Sequence, residues 1–143
     1  MCSSDLEILP MAEANGIGVI PYSPAAAGLL SGKYLGQATG RLKTNKMYEA
    51  RYSDAWMFEV AEEYVAFCKE RGLHPVSTAI AWVGAHPAVT APIIGARNTD
   101  QLKASLDAIN IDMTPSLRAE IADLSRTPPP ATDRLEEQKA ARA

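Results

Sequence analysis

The chain has 143 residues, 47% of them hydrophobic, and its 14 lysines and arginines against 17 aspartates and glutamates leave a net charge of −3. That length permits one ordinary domain, burying about 68 to 70% of the unfolded surface, while scattered basic residues exclude the electrostatic footprint of a nucleic-acid-binding protein. No run approaches the ~20 apolar residues of a membrane span and the first residues lack the basic and apolar regions of a signal peptide, so a soluble cytoplasmic protein without a membrane partner is expected.

In chain order, Glu7 to Asn15 predicts a short helix stopped by Gly16, with Pro10 tolerable only in its first turn. Ile17, Val19 and Ile20 then form a short apolar run ending at Tyr22, the pattern of a parallel strand covered on both faces. Beyond its carboxyl end, Ser23, Pro24, Ala25, Ala26, Ala27, Gly28, Ser31 and Gly32 keep bulk low, so backbone amides can approach an anion, and Lys33 adds a cation. Residues 36–51 form a long polar connection, the kind of loop that shapes a substrate pocket.

Asp54 is placed to cap a helix carrying Trp56, Val60, Tyr64 and Phe67, with Lys69 and Arg71 in its last turn and Gly72 after it. Pro75 opens a second helix with Val76, Ala79, Ile80 and Val83 on one stripe, ended by Pro87, so the pair predicts a helical hairpin. Cys68 reads as a small buried hydrophobe. It lies far from Cys2, and neither has a histidine at ligand spacing, so no disulfide and no metal site is expected. His74 and His86 read as helix-end residues. Val89 to Ile94 is the second strand candidate, with irregular pairing expected at Pro92. Asn98 caps a helix with Leu102, Leu106 and Ile109; Thr114 and Pro115 start another with Leu117, Ile121 and Leu124. After residue 126 a proline-rich, charged tail over residues 127–143 is expected to be mobile.

This order is α/β with connections suited to parallel strands. Two strands alone leave unpaired edges and apolar faces, so the segment is expected to need further strands or another copy of itself, by self-association through exposed sheet edges. Competing nucleotide motifs are missing: Gly16-Ile17-Gly18 precedes its strand and lacks a third glycine, and no phosphate-loop GKS or GKT occurs.

Residues 22–34, YSPAAAGLLSGKY, resemble the seventh-strand signature of the NADP-dependent aldo-keto reductases, and residues 91–102, APIIGARNTDQL, resemble that family's eighth strand and following helix. The likeness runs from about Glu7 to about Leu124. It implies the carboxyl-terminal part of a (β/α)8 TIM barrel: about the last two βα units plus the C-terminal helix, over residues 1–126. A whole barrel needs ~250 residues. The chain is therefore read as a piece of one, whether a truncated product, a separate fragment or a product of a misplaced start codon.

The resemblance implies NADP as cofactor, with the Tyr22 ring on the nicotinamide, Ser23, Pro24, Ala25 and Ala26 along the pyrophosphate, and Lys33 and Arg41 adding charge. Alanine stands at position 25 where the family usually has leucine. At the second block, Gly95 allows close approach to the adenosine phosphate, and the helix start at Asn98 and Thr99 favours an anion. Arg97 is the expected discriminator of NADP from NAD, since its guanidinium can hold a 2′-phosphate in a bidentate fork. Gln101 and Ser105 lie one and two turns on; the family commonly has asparagine at position 105, where it holds the adenine amino group.

The family's catalytic Asp, Tyr, Lys and His come from earlier strands, so no catalytic residue is assigned. Tyr48 and Tyr52, as loop tyrosines, are expected to be poor proton donors at neutral pH. The leading expectation is the NADP(H)-binding portion of a reductase acting on a small aldehyde or ketone. The alternative is a non-catalytic remnant or cofactor-binding module, in the manner of the potassium-channel beta subunits that share the fold.

Overall fold

A computed structural model describes residues 7–35, 46, 49, 52 and 54–127. Five α-helices are present among them: α1 (Ile8–Ala14), α2 (Ala55–Glu70), α3 (Pro75–Gly84), α4 (Thr99–Leu106) and α5 (Pro115–Asp123), with 3₁₀ turns at Ala26–Ser31 and Asp107–Asn110. Arg41, Tyr48, most of the 36–51 connection and the tail from residue 128 lie outside the described residues.

The helix boundaries follow local chemistry. The Nδ1 of His74 accepts from the Ser77 amide at 3.4 Å, with Pro75 in the first turn of α3. Asn98 Oδ1 accepts from Gln101 N at 2.9 Å, and Thr114 Oγ1 from Leu117 N at 3.2 Å. Each bond satisfies one of the amides that a helix start leaves open. His86 closes the turn after α3, its Nδ1 accepting from Ala88 N at 3.1 Å. Both histidines are thus helix-end residues. Asp54 differs from expectation: it stands at the N-cap of α2, but its carboxylate accepts from the Trp56 indole at 3.2 Å and from no backbone amide.

The hairpin α2–α3 and α5 enclose one core cluster, Tyr64, Cys68, Ala79 and Ile121, flanked by Leu73, Phe67, Trp82, Leu117 and Leu124. A second, around Leu29, Tyr34 and Ala61, joins the first 3₁₀ turn to α2, with Tyr52 packed against it. The buried line of α2 is Ala61, Tyr64 and Cys68 rather than the predicted large residues alone, and α3 buries Ser77 and Thr78 beside Ala79 and Ile80. The Ser77 hydroxyl donates to the Ala104 carbonyl, which ties α3 to α4. Arg71 at the end of α2 stacks on Phe67, 3.8 Å from the ring centroid, and pairs with Glu120 of α5.

The two expected strands are a correction. Segments 17–22 and 89–94 run parallel, but they meet only at two isolated bridges, Val19 with Val89 and Tyr22 with Ile93. Two inter-segment hydrogen bonds hold them, Thr90 N to Val19 O and Ile93 N to Pro21 O, both 2.8 Å. Pro21 and Pro92 have no N–H to donate, one on each side of the pair, so a regular ladder cannot propagate through them. No continuous strand, and hence no barrel wall, is formed among the described residues. Ile17, Ile20, Tyr22 and Ile93 remain exposed there. The stripe expected on α4 also differs: the α-helix ends at Leu106, Ile109 falls in the 3₁₀ turn, and Leu102, Leu106 and Ile109 face outward.

Candidate cofactor-binding site

The bridge between Tyr22 and Ile93 sets the carboxyl ends of the two segments side by side. Everything predicted from sequence to touch a cofactor, apart from Arg41, follows one or the other of those ends. Tyr22 itself is 67% exposed among the described residues.

After Tyr22 the backbone leaves ordinary conformational space. The positive-φ residues other than glycine among the described residues are Ser23 (φ 58°), Ala26 (φ 51°) and Ala27 (φ 56°), all in this turn, and Gly28 continues the run at φ 90°. Left-handed backbone costs an L-residue about 1 to 2 kcal/mol, so three in five residues mark a segment whose shape the surroundings impose. A right-handed residue followed by a left-handed one, as at Ala25 (φ −98°) and Ala26, aims neighbouring N–H groups toward one point, the geometry of an anion-binding concavity. Some of the amides are used internally, Ala26 N on Ser23 O at 2.9 Å and Gly28 N on Ala25 O at 2.8 Å.

Lys33 folds back across this turn. A Cβ built on Gly28 would lie 2.7 Å from Lys33 Nζ and 2.9 Å from its Cε. The same ammonium sits 4.8 Å from the centroid of the Tyr34 ring, which is buried beside Leu29 and Ala61. Lys33 makes no ion pair among the described residues.

The second segment contributes a different arrangement. A Cβ at Gly95 would meet nothing within 4 Å, so packing among the described residues does not require glycine there. Arg97 is exposed and makes no ion pair among the described residues. Its backbone N–H donates to Gln101 Oε1 at 3.1 Å, while Gln101 N donates to Asn98 Oδ1 at 2.9 Å. This clamp fixes the main chain at Arg97 and leaves the guanidinium free. Ser105 is buried and donates its hydroxyl to the Gln101 carbonyl at 2.9 Å. Asp100 lies in the first turn of α4 and offsets part of the positive end of the helix dipole.

Sequence reasoning missed the left-handed turn, because alanine carries no signal for that conformation, and the Gln101 clamp, because a glutamine three residues past a cap is also an ordinary surface residue. It also missed an open cleft of about 510 Å³ between the α2–α3 turn and α4, lined by His74, Ser77, Asp100, Lys103 and Asp107 among others. None of the predicted cofactor residues lines it. Ser77 there is fully buried and its proton is committed to a carbonyl, so beside His74 it is not a nucleophile.

No side chain among the described residues forms a group of His, Cys, Asp or Glu able to hold a metal. Tyr64 donates to the Pro75 carbonyl at 2.7 Å, and burial with the adjacent Cys68 raises its pKa. Burial also raises the Cys68 pKa. The Thr78 hydroxyl lies near that thiol without a regular hydrogen bond of its own. Both acids are held neutral in the core, away from the exposed end of the segments. No helix among the described residues is long and apolar enough to cross a membrane.

Comparison with known proteins agrees with the two motifs. The model of the aldo/keto reductase family matches residues 2–126. The uncharacterized oxidoreductase YrpG of Bacillus subtilis is 34% identical over 122 residues, covering 85% of this chain and 36% of that protein. A probable voltage-gated potassium channel subunit beta of Oryza sativa subsp. japonica is 28% identical over 127 residues, 82% of this chain and 37% of its own length. An NADH-specific methylglyoxal reductase of Escherichia coli is 27% identical over 109 residues, 76% of this chain and 33% of its own. The chain spans about a third of the length of these relatives. With a family model matched over most of its residues, the chain belongs to the aldo/keto reductase family.

Proposed function

We propose that the chain is the NADP(H)-binding portion of an aldo-keto reductase that reduces aldehydes or ketones, formed from the carboxyl-terminal part of a (β/α)8 barrel. One observation carries this reading: the strained small-residue turn after Tyr22 stands beside the Gly95–Arg97 segment, because segments 17–22 and 89–94 pair in parallel. In barrels of this kind ligand sites lie at the carboxyl ends of the strands, often with phosphates near the last two loops. The exposed Tyr22 ring would cover one face of a nicotinamide; Ser23, Pro24, Ala25 and Ala26 would line the pyrophosphate, with Lys33 giving charge and Arg41 a second cation. Gly95 leaves room for the adenosine phosphate. Gln101 holds the Arg97 backbone, and Ser105, its proton given to Gln101, keeps oxygen lone pairs for the adenine amino group.

A bound nicotinamide cofactor supplies the hydride. This chain's residues bind and orient; none is assigned to proton transfer. One relative is named for NADH, so the choice of NADP rests on the free guanidinium of Arg97. The test is titration of the chain with NADPH and NADH, together with NADPH oxidation over a panel of aldehydes. Binding that favours NADPH without turnover is the expected result. Turnover of about 1 to 10³ per second by the chain alone would overturn its role as a binding portion only. Failure to bind either cofactor would favour a remnant.

A further inference from the structure

We infer that Gly28 is a positioning residue for anion binding: its missing side chain is what seats the Lys33 ammonium over the strained turn. This deepens, and rests on, the cofactor reading above. Two surfaces hold the ammonium. On one side the three atoms nearest a Cβ at Gly28 are all from Lys33, at 2.7, 2.9 and 3.9 Å. On the other side the Tyr34 ring lies 4.8 Å away and is anchored in the core by Leu29 and Ala61, a geometry in which the ring face attracts a cation.

The positive φ of Gly28 already favours glycine, but conformation alone does not single this position out. Ala26 and Ala27 also sit at positive φ with a Cβ in place, at 51° and 56°, although Gly28 at 90° lies further out, where an alanine carries added backbone strain. What distinguishes Gly28 is the lysine lying where its side chain would be. Because the obstructing atoms are the far end of a flexible side chain, an alanine at position 28 displaces Lys33 in addition to straining the backbone, and only the displacement of the charge alters the salt dependence of anion binding. The ammonium, already exposed, would then swing away from the turn, where greater distance and screening weaken its pull on a bound phosphate.

A double-mutant cycle tests this. Lys33→Met and Gly28→Ala, singly and together, are titrated with NADPH, NADH and inorganic pyrophosphate at several salt concentrations. Lys33→Met is expected to weaken both cofactors about three- to tenfold, the range of a partly exposed charge-assisted contact. Gly28→Ala should weaken them comparably and flatten the salt dependence to the same degree, and the double variant should be no worse than either single. Additive losses, or a Gly28→Ala loss with the salt dependence unchanged, would overturn the inference, because a merely structural strain has no reason to act through charge. An NMR contact between the Lys33 ε-methylene and the Gly28 α-protons, read without any ligand, separates the two readings. If that contact is present but no phosphate probe binds, the cofactor reading falls and Gly28 has no positioning role. If the contact is absent while NADPH binds, the cofactor reading stands and this inference falls.

Discussion

Two sides of the molecule are built on different terms. Around Tyr64, Cys68, Ala79 and Ile121, α2, α3 and α5 pack closely, the starts of α3 and α5 are capped, and the tyrosine hydroxyl is bonded. Around Tyr22, large apolar side chains stay exposed, inter-segment pairing stops after two bridges, and three non-glycine residues sit in left-handed backbone. The first side supplies folding free energy; the second spends part of it on holding backbone amides and a lysine in one arrangement. Strain persists only where surroundings over-determine it. Leu29 and Tyr34, which follow the turn in sequence and anchor it to Ala61 of α2, are those surroundings.

The largest effect should come from breaking the packed side. Ile121→Ala removes apolar bulk from the cluster that joins α5 to the hairpin, and such a truncation costs about 2 to 5 kcal/mol, the spread reflecting how far the site can collapse. Denaturant unfolding would measure it. A loss under about 1 kcal/mol would mean that α5 is not integral to the core.

Alkaline pH should act on the same side. Cys68 and Tyr64 are acids whose neutral forms are buried, so their folded pKa values stand above the unfolded ones and the unfolded state releases protons first. Stability is therefore fully present below the unfolded thiol value of about 8.5 and falls as pH rises beyond it. Unfolding curves between pH 8 and 11 should show that decline, with a shallower slope in Cys68→Ala. An unchanged slope would mean the thiol does not contribute.

On the strained side, Arg97→Ala should weaken NADPH by about ten- to a hundredfold, corresponding to about 1.5 to 3 kcal/mol for a charge-assisted contact, and NADH much less, since only the 2′-phosphate uses the fork. Fold stability should not move, because the guanidinium is exposed and makes no ion pair among the described residues. Equal losses for both cofactors would assign Arg97 a structural role.

How far each side was legible follows from the kind of signal each uses. Helix ends are written in residue types with a single local reason: Pro75 and Pro115 in first turns, Asn98 and Thr114 as caps. The candidate site was legible as composition, since the small residues after Tyr22 and the separate cations Lys33 and Arg97 show in the letters. Its conformation was not. Ala26 and Ala27 have no sequence mark for left-handed backbone, and Ser77 and Thr78 gave no sign of burial because their partners, such as the Ala104 carbonyl, come from elsewhere in the fold. Apolar runs announced two strands, but the ladder depends on which residues can donate, and Pro21 and Pro92 cannot.

The smallest effect gives the sharpest contrast, because one substitution should have opposite signs on the two sides. Ala27 sits at φ 56°, where its Cβ is a liability, whereas Ala61 is an interior helix residue that is 1% exposed. Ala27→Gly removes a conformational penalty of about 1 to 2 kcal/mol but loosens the unfolded chain by about 0.4 to 1 kcal/mol, for a net stabilisation of about 0.5 to 1 kcal/mol. Ala61→Gly has no such strain to relieve; it loses helix propensity, about 1 kcal/mol, and opens a small gap against Leu29 and Tyr34. Thermal unfolding of the two variants decides the matter: the midpoint should rise for Ala27→Gly and fall for Ala61→Gly. A fall in both would show that the left-handed turn is not strained at Ala27, and the reading of this side as a shape maintained at the expense of stability would have to be given up.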